Sequence, residues 1–297
     1  MTHFETRSGF VSVVGRPNVG KSTLVNALVG VKVAITSSRP QTTRNTIRGV
    51  VTLPEENAQI VLVDTPGIHK PKTALGERLN TLVYGSLSDA DAALFVIDAT
   101  KPIGPGDRLI AERLKESRVP VVLALNKIDV VSRQTIMDQL TAGSGWDFEA
   151  YVPISARKRD GTDAVVSELV SLLPPGPFFF PPEARSDQPD IFLAGEIIRE
   201  KYLARLREEL PHSLAVVIDN MEMDGKGLLR ISATAVVERE SQKGMAIGKG
   251  GSMIKAVSTD AREDLERLFG TKVFLEVRVK VEKDWQRSDE LLDRLGF

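Results

Sequence analysis

The segment Gly15–Ser22 constrains the fold of this chain more than any other part of its 297 residues. It reads Gly-Arg-Pro-Asn-Val-Gly-Lys-Ser, follows an apolar run and opens a helical pattern. That is the context of a phosphate-binding loop between a strand and a helix, whose backbone N–H groups surround an anion. A glycine-rich turn that matches by chance is the weaker interpretation. We therefore expect nucleotide binding by the loop and the next residue: Gly15, Arg16, Pro17, Asn18, Val19, Gly20, Lys21, Ser22 and Thr23.

A second segment, Asp64-Thr65-Pro66-Gly67, follows the apolar run Gln59–Val63. Alone it would be a common turn, but together with the upstream loop it predicts a Mg²⁺ site. We expect Asp64 to hold the ion through water, the Ser22 hydroxyl to bind it, and Lys21 to reach the β- and γ-phosphates. Gly67 can offer its N–H to a γ-phosphate. The nucleotide-binding residues expected here are Asp64, Thr65, Pro66, Gly67 and Ile68.

A third segment, Asn126-Lys127-Ile128-Asp129, predicts which base is bound. A carboxylate only accepts hydrogen bonds, and guanine offers two adjacent donors, N1–H and its exocyclic amine, where adenine has no such pair. Asp129 therefore favours GTP over ATP. Asn126 would tie the loop together, and the Lys127 stem would cover a purine face. The tripeptide Ser155-Ala156-Arg157 carries little weight by itself, although the Ala156 N–H could meet the guanine oxygen.

Around these segments, apolar runs alternate with helical patterns, as in a doubly wound α/β sheet. Continuous apolar runs are typical of strands that helices cover on both faces. The pattern predicts a mostly parallel six-stranded sheet over residues 1–175. The predicted strands are 10–14, 47–53, 59–64, 92–98, 121–126 and 151–154, and the predicted helices include 21–29, 75–87, 107–116 and 162–173.

Residues 176–190 are predicted to be a proline-rich linker. The sixteen positions from Pro174 to Pro189 hold six prolines, which neither a helix nor an interior strand can sustain. An extended linker is the favoured interpretation. The triplet Phe178–Phe180 is apolar enough to dock on one of the domains, which would limit swinging.

Residues 191–297 change to a pattern of a small α+β domain. The predicted elements are helices 191–209, 241–247, 252–269 and 285–295 and strands 215–223, 228–238 and 272–281. Between two of the helices, Gly248-Lys249-Gly250-Gly251 fits the G-x-x-G loop with which KH domains clamp a nucleic-acid backbone. As a bare string it is a turn between helices, but this placement favours the KH interpretation. The candidate RNA-binding residues are Lys243, Ile247, Gly248, Lys249, Gly250, Gly251 and Lys255.

Composition narrows the chemistry further. The chain has no cysteine and three histidines far apart in sequence, so disulfides and thiolate sites are excluded and a histidine metal site is not expected. A net charge of -1 does not indicate a nonspecific nucleic-acid binder, and acidic residues slightly outnumber basic ones from Glu183 onward. Recognition of single-stranded RNA through stacking and base edges remains compatible with that charge. The sequence contains no run of about eighteen apolar residues, so a transmembrane helix is not expected.

The guanine-site segments, in this order, resemble those of the translation-factor-type regulatory GTPases over residues 8–173. With QTTR, DTPGIH, NKID and SAR followed by IGKGG, the whole chain resembles the Era family of bacterial GTPases. The resemblance implies a P-loop GTPase domain followed by a type II KH domain, with GTP or GDP and Mg²⁺ as ligands. It also implies recognition of the 3′ end of 16S ribosomal RNA and a role in maturation of the 30S subunit. The family's switch threonine, which closes on Mg²⁺, would be Thr43 or its neighbour Thr42.

Catalysis needs an arrangement other than the Ras-like one, because Ile68 stands where a glutamine would orient the attacking water. GTPases with G-x-P-N-x-G-K-S resemble a subgroup in which the asparagine helps to bind K⁺, which would neutralise charge in the transition state. Asn18 is therefore a catalytic candidate, although stabilising the loop turn is an equal alternative. His69 is expected to be a solvated switch residue instead of a general base. The residues expected to act in a slow intrinsic hydrolysis are Lys21, Asn18, Thr43 and Gly67.

The favoured hypothesis is a GTP-controlled switch in 30S subunit maturation, and two alternatives stand beside it. In the favoured one, GTP controls whether the KH domain holds RNA. Alternatively, the nucleotide site could be only a structural latch, or the chain could be a membrane-linked cell-cycle GTPase with secondary RNA contact. We expect a cytoplasmic monomer, and the resemblance also implies peripheral association with the inner membrane.

Overall fold

Strands that are apolar on both faces form a central sheet in the first part of the chain, because helices cover the sheet on both sides. The computed structural model describes residues 6–37, 42–67, 73–206, 210 and 213–295. The described residues divide into two units. The first holds residues up to Thr36, 43–67 and 76–187; the second holds Ser37, Thr42, 73–75 and residues from Gln188 onward.

The first unit contains the predicted six-stranded sheet, in the order β2-β3-β1-β4-β5-β6. Only β2 runs antiparallel to its neighbour, and the other pairings are parallel, so the mostly parallel sheet is confirmed. The strands are β1 Arg7–Val14, β2 Ile47–Leu53, β3 Ala58–Asp64, β4 Ala92–Asp98, β5 Val121–Asn126 and β6 Ala150–Ile154. The helices are α1 Lys21–Val29, α2 Ala74–Ser88, α3 Pro105–Ser117, α4 Arg133–Ser144 and α5 Thr162–Leu172.

Two apolar cores hold this unit together, one on each face of the sheet. Val11 and Leu62 pack with α1 and α5 on one face, and Phe95 and Leu123 pack with α3 on the other. Each such side chain contributes about 1.5–3 kcal/mol when it is fully buried. The parallel strands bring their carboxyl ends to one edge, where ligands of open α/β sheets bind.

The proline-rich segment lies along the first unit up to Asp187. The fully buried Gln59 side chain on β3 satisfies its backbone: Gln59 Oε1 accepts from the N–H groups of Phe179 and Phe180, and Nε2 donates to the Phe180 carbonyl. The Phe179 ring lies 4.7 Å from the Phe10 ring, centroid to centroid. Farther on, the Val50 N–H donates to the Arg185 carbonyl, which covers the edge strand β2.

The second unit is an α+β structure with a three-stranded sheet in the order β7-β8-β9. Strands β7 and β8 are antiparallel, whereas β8 and β9 are parallel. The elements are α6 Asp190–Arg205, β7 Ala215–Met223, β8 Leu229–Val237, α7 Glu240–Ile247, α8 Ser252–Phe269, β9 Val273–Val281 and α9 Asp289–Arg294.

Two helix predictions in this unit were wrong at their ends. The first helix stops at Arg205, because Leu206 is extended and places its side chain in the core at 3% exposure. The predicted closing helix is a 3-10 turn over 285–287 followed by α9. The break lies at Ser288, whose backbone is extended and whose side chain accepts from the Leu291 N–H at the start of α9. Trp285 is fully buried and donates from Nε1 to the Ser213 carbonyl, 3.0 Å away. Within the described ranges, no helix has both the length and the apolar character that a membrane crossing requires.

Candidate functional site

The phosphate loop connects β1 to α1 through backbone conformations that only glycine adopts easily. Gly15 has φ 151° and Gly20 has φ 103°, in the region where a side chain is strained. A Cβ at Gly15 would collide with the Val96 carbonyl oxygen, and one at Gly20 with the Asn126 side-chain amide. The two glycines therefore let the loop close against the neighbouring strands β4 and β5.

Lys21 is the only lysine among the buried described residues, and it points back into this loop. Its Nζ donates to the carbonyls of Gly15 at 3.2 Å and Arg16 at 3.3 Å. Burial lowers the pKa of Lys21 to about 8, although the Asp64 carboxylate acts in the opposite direction. A phosphate group beside this ammonium would favour its charged form.

Asp64, Ser22 and Thr43 form a cluster beside the loop. Ser22 Oγ donates to Asp64 Oδ2 at 2.7 Å and lies 2.9 Å from Thr43 Oγ1. Asp64 is fully buried, and burial raises its pKa while Lys21 and the two hydroxyls act against that shift. Its other oxygen, Oδ1, is buried with no hydrogen-bond partner.

This cluster fits Mg²⁺ because its donors are all oxygens and one buried carboxylate oxygen lacks a partner. Mg²⁺ is commonly bound by one or two carboxylates together with phosphates and waters. The described residues contain no group of three or more His, Cys, Asp or Glu side chains that could hold a metal. One carboxylate with two hydroxyls is therefore the metal-binding arrangement that the described part of the chain offers here.

The two threonines of the first switch have different surroundings. The Thr43 hydroxyl lies in the cluster with Ser22 and Asp64, 3.5 Å from Asp64 Oδ2. Thr42, within the second unit, accepts through its backbone carbonyl from Nη2 of Arg199. Arg199 is 1% exposed and also donates from Nε and Nη2 to Glu196, at 2.6 and 2.7 Å. Of the two threonines, Thr43 is the one whose hydroxyl lies in the cluster with Ser22 and Asp64.

Asn126 joins three of the predicted segments. Its Nδ2 donates to the Val19 carbonyl at 2.8 Å, while Oδ1 accepts from the N–H groups of Lys127 at 2.8 Å and Ala156 at 3.0 Å. The fully buried Ser155 donates from Oγ to Asp129 Oδ1 at 2.8 Å, which fixes the carboxylate that is predicted to read guanine. The phosphate loop and the two base-side segments therefore form one hydrogen-bonded assembly.

Asp98 belongs to this assembly, although the sequence analysis did not name it. It ends β4 and lies in register with Asn126 at the end of β5. Its Oδ2 lies 2.6 Å from Lys127 Nζ, which in turn donates to the Asn18 carbonyl at 2.8 Å. An aspartate at the carboxyl end of a parallel strand was the available signal.

The remaining predicted residues lie at or near the same edge. Asn18 is exposed and has φ 66°, Arg16 pairs with Asp107 at 3.1 Å, and a Cβ on Gly67 would lie 2.8 Å from the Pro17 nitrogen. Arg157 is exposed. The buried residues are Thr65, Pro66 and Gly67; Thr23, Pro17 and Ile128 are partly exposed. Ile68 and His69 lie outside the described residues.

The predicted RNA loop lies between α7 and α8, in the second unit. Gly248, Gly250 and Gly251 have φ values of 77°, 59° and 77°, and Lys249 between them is exposed. A Cβ at Gly250 would meet nothing within 4 Å, so the backbone at this position is open to an incoming strand. Lys255 is exposed on α8, while Lys243 and Ile247 of α7 are partly exposed.

Comparison with known proteins identifies the family. Residues 10–127 match the family described as 50S ribosome-binding GTPase, and residues 209–286 match the KH domain family. GTPase Era of Mycolicibacterium smegmatis is 50% identical to this chain, with 100% of both chains covered. GTPase Era of Ruminiclostridium cellulolyticum is 46% identical over 98% of this chain and 97% of the relative. The chain belongs to the Era family of GTPases.

Solved Era structures agree with both units. Two of them match with a TM-score of 0.94 and 38% identity, covering 98% of this chain and 99% of theirs. One is an Aquifex aeolicus Era variant bound to GDP and AlF4⁻, and the other is Era in complex with MgGDPNP and nucleotides 1506–1542 of 16S ribosomal RNA. The predicted fold class, a P-loop GTPase domain followed by a small KH domain, is confirmed.

Proposed function

We propose that this Era-family GTPase binds GTP with Mg²⁺ and hydrolyses it to GDP and phosphate. It would act as a GTP-controlled switch in 30S subunit assembly, in which the bound nucleotide controls whether the KH unit holds the 3′ end of 16S ribosomal RNA. The observation that carries the proposal is the hydrogen-bonded assembly centred on Asn126, which joins the phosphate loop to the carboxylate of Asp129. It supports a site that grips the phosphates and the base of one guanine nucleotide together.

The site residues divide the work of hydrolysis. Lys21 stabilises charge on the β- and γ-phosphates, and the loop N–H groups hold the phosphate oxygens. Ser22, Thr43 and Asp64 would hold Mg²⁺, which supplies charge neutralisation on the phosphates. Thr43 belongs to the first switch, and its contact with Mg²⁺ would depend on the γ-phosphate, so this contact would report the nucleotide state. Asp129, fixed by Ser155, selects guanine.

Asn18 is proposed to help hydrolysis by binding K⁺ near the phosphates. Its exposed side chain and its place in the loop support this role. We expect K⁺ to accelerate hydrolysis relative to Na⁺ at equal ionic strength, and Asn18→Ala to remove the difference. Equal rates in the two salts, or an unchanged response in the variant, would show that Asn18 only stabilises the turn.

RNA binding is proposed for the glycine loop between α7 and α8. The exposed Lys249 and the open backbone at Gly250 support close approach of a phosphodiester chain. The test is binding of an RNA of nucleotides 1506–1542 of 16S ribosomal RNA, the segment in the Era complex, to the wild-type chain and to Gly250→Asp. Wild-type binding that the variant retains would assign the RNA to another surface.

We also propose a cytoplasmic place of action, because the proposed partner is the small ribosomal subunit. Peripheral membrane association and a monomeric state stay predictions from the sequence.

A further inference from the structure

We propose that Asp98 is a positioning residue for nucleotide binding, acting through Lys127 on both the base side and the phosphate loop. The inference rests on the proposed guanine-nucleotide site and adds a residue that lies outside the four motif segments. It comes from one chain of contacts, Thr100 to Asp98 to Lys127 to Asn18, all in the first unit.

Both oxygens of the Asp98 carboxylate are in use. Oδ1 accepts from the Thr100 N–H at 3.0 Å and from its hydroxyl at 2.7 Å, while Oδ2 lies 2.6 Å from Lys127 Nζ. The turn with Thr100 fixes the carboxylate plane, so Oδ2 faces Lys127 with little rotational freedom. Burial alone would raise the pKa of Asp98, but the hydrogen bonds from Lys127 and Thr100 outweigh it and lower the pKa.

Lys127 needs such a partner because of where its backbone and ammonium lie. Its φ is 70°, an uncommon conformation for a residue with a side chain, and this turns the stem back towards the phosphate loop. The ammonium donates to the Asn18 carbonyl at 2.8 Å. Without the Asp98 charge, the Asn18 carbonyl would be the only group in this assembly that the Lys127 ammonium is described as contacting. Water would then compete with that carbonyl for the ammonium.

The contacts around Lys127 therefore link the two halves of the nucleotide site. Its stem is the one predicted to cover the purine, and its ammonium fixes the carbonyl of Asn18, the loop residue with φ 66°. Asp98 and Lys127 both line a cleft of about 180 Å³ beside Asn18, so the pair borders solvent.

The expected effect of Asp98→Asn follows from this geometry. The substitution keeps the shape and the acceptor for Thr100 but removes the charge that holds Lys127. GDP and GTP should both bind about fivefold to thirtyfold more weakly, less than the full effect of a charged hydrogen bond because Lys127 is partly exposed. The loss should come mainly from faster nucleotide dissociation, and any fall in kcat at saturating GTP should be smaller than the loss of affinity.

The experiment measures GDP and GTP dissociation constants, GDP release rates, kcat and thermal unfolding for wild type, Asp98→Asn, Lys127→Ala and the double variant. Asp138→Asn, an exposed aspartate on α4 that accepts from Gln134, is the matched control and should change none of them. If Asp98 acts through Lys127, the aspartate substitution adds little once Lys127 is alanine.

The measurements distinguish failure of the role of Asp98 from failure of the guanine-nucleotide site itself. If wild type binds no guanine nucleotide, the proposed function fails first. If wild type binds tightly and Asp98→Asn binds equally well, only the role of Asp98 is overturned. Additive losses in the double variant, or a loss that follows a lower unfolding temperature of the nucleotide-free protein, would reduce Asp98 to a structural residue.

Discussion

Replacing Asp129 with asparagine should exchange guanine for xanthine as the preferred base. The carboxylate accepts from the Ser155 hydroxyl through Oδ1 at 2.8 Å, and an asparagine oxygen can keep that contact. The asparagine nitrogen then occupies the place of the second oxygen. It would face the exocyclic amine of guanine, donor against donor, but it can donate to the carbonyl that xanthine carries at the same position.

The size of the effect follows from the two hydrogen bonds that the carboxylate is predicted to accept from guanine. A hydrogen bond to a charged group contributes about 1.5–3 kcal/mol, and a buried donor left without an acceptor costs about 1–3 kcal/mol. The asparagine loses the bond from the exocyclic amine, leaves two donors facing each other and weakens the N1–H bond by removing the charge, so the total cost is about 3–6 kcal/mol. Since each 1.4 kcal/mol is a factor of about ten in affinity, the binding of GDP should weaken roughly 10²- to 10⁴-fold. Xanthosine diphosphate should bind more tightly to the Asp129→Asn variant than to the wild-type protein.

Calorimetric titration of both diphosphates into wild type and Asp129→Asn measures this directly, with thermal unfolding as the check that the variant is folded. Asp138→Asn again provides the matched control. A GDP affinity within about threefold of wild type would refute the assignment of Asp129 as the base-reading residue.

Three further predictions follow from the site. Burial lowers the pKa of Lys21 to about 8, and a bound phosphate should raise that pKa, so GDP binding above pH 8 should take up a proton and the affinity for GDP should fall by up to about tenfold per pH unit as the pH rises. Calorimetry in buffers of different ionisation enthalpy measures this proton uptake, and its absence near pH 8.5 would contradict the prediction. Thr43→Val should raise the Mg²⁺ concentration needed for GTP hydrolysis, whereas Thr42→Val should not, and equal metal titrations for the two variants would remove the assignment of the switch threonine. Gly250→Asp should weaken RNA binding by at least about tenfold through charge repulsion and strain at φ 59°, while Gly225→Asp in the β7–β8 turn should not weaken it. Equal losses for the two variants in a filter-binding assay would show that an added negative charge weakens binding wherever it lies, and would contradict a specific role for the glycine loop.

Much of the sheet could be predicted because covering by helices leaves a direct mark on the sequence. Strands β2, β4 and β5 have the predicted bounds, and β4 and β5 show the reason, since residues buried on both faces form continuous apolar runs. The end of α6 could not be predicted in this way. Leu206 continues the apolar pattern, yet it enters the core from an extended backbone, and a pattern of apolar residues does not distinguish these two routes.

The site divides similarly between motif and tertiary contact. The phosphate loop and Asp129 belong to fixed spacings that chemistry imposes, so the sequence indicates them. Asp98 belongs to no motif of fixed spacing, because it meets its partner Lys127 only across the two neighbouring strands of the sheet. The preference for Thr43 over Thr42 likewise rests on a tertiary contact, the 2.9 Å between the Thr43 and Ser22 hydroxyl oxygens, and the role of Thr43 stays a prediction.

Docking of the proline-rich segment also depends on contacts that composition does not encode. Proline content predicts an extended chain, whereas the segment includes a turn in which the Ala184 N–H donates to the Pro181 carbonyl. Its attachment rests on the buried amide of Gln59, which pairs with backbone groups of Phe179 and Phe180. A lone glutamine in an apolar strand gives no indication of which segment it will hold.

The central claim is that nucleotide state controls RNA binding, and one measurement tests it most directly. The dissociation constant of the full chain for an RNA of nucleotides 1506–1542 would be determined with Mg²⁺ and a nonhydrolysable GTP analogue, with GDP, and without nucleotide. We predict binding at least about fivefold tighter with the GTP analogue than with GDP, the lower end of typical coupling between two sites. Equal constants in all three conditions would contradict the account, because a ligand without differential affinity shifts no equilibrium.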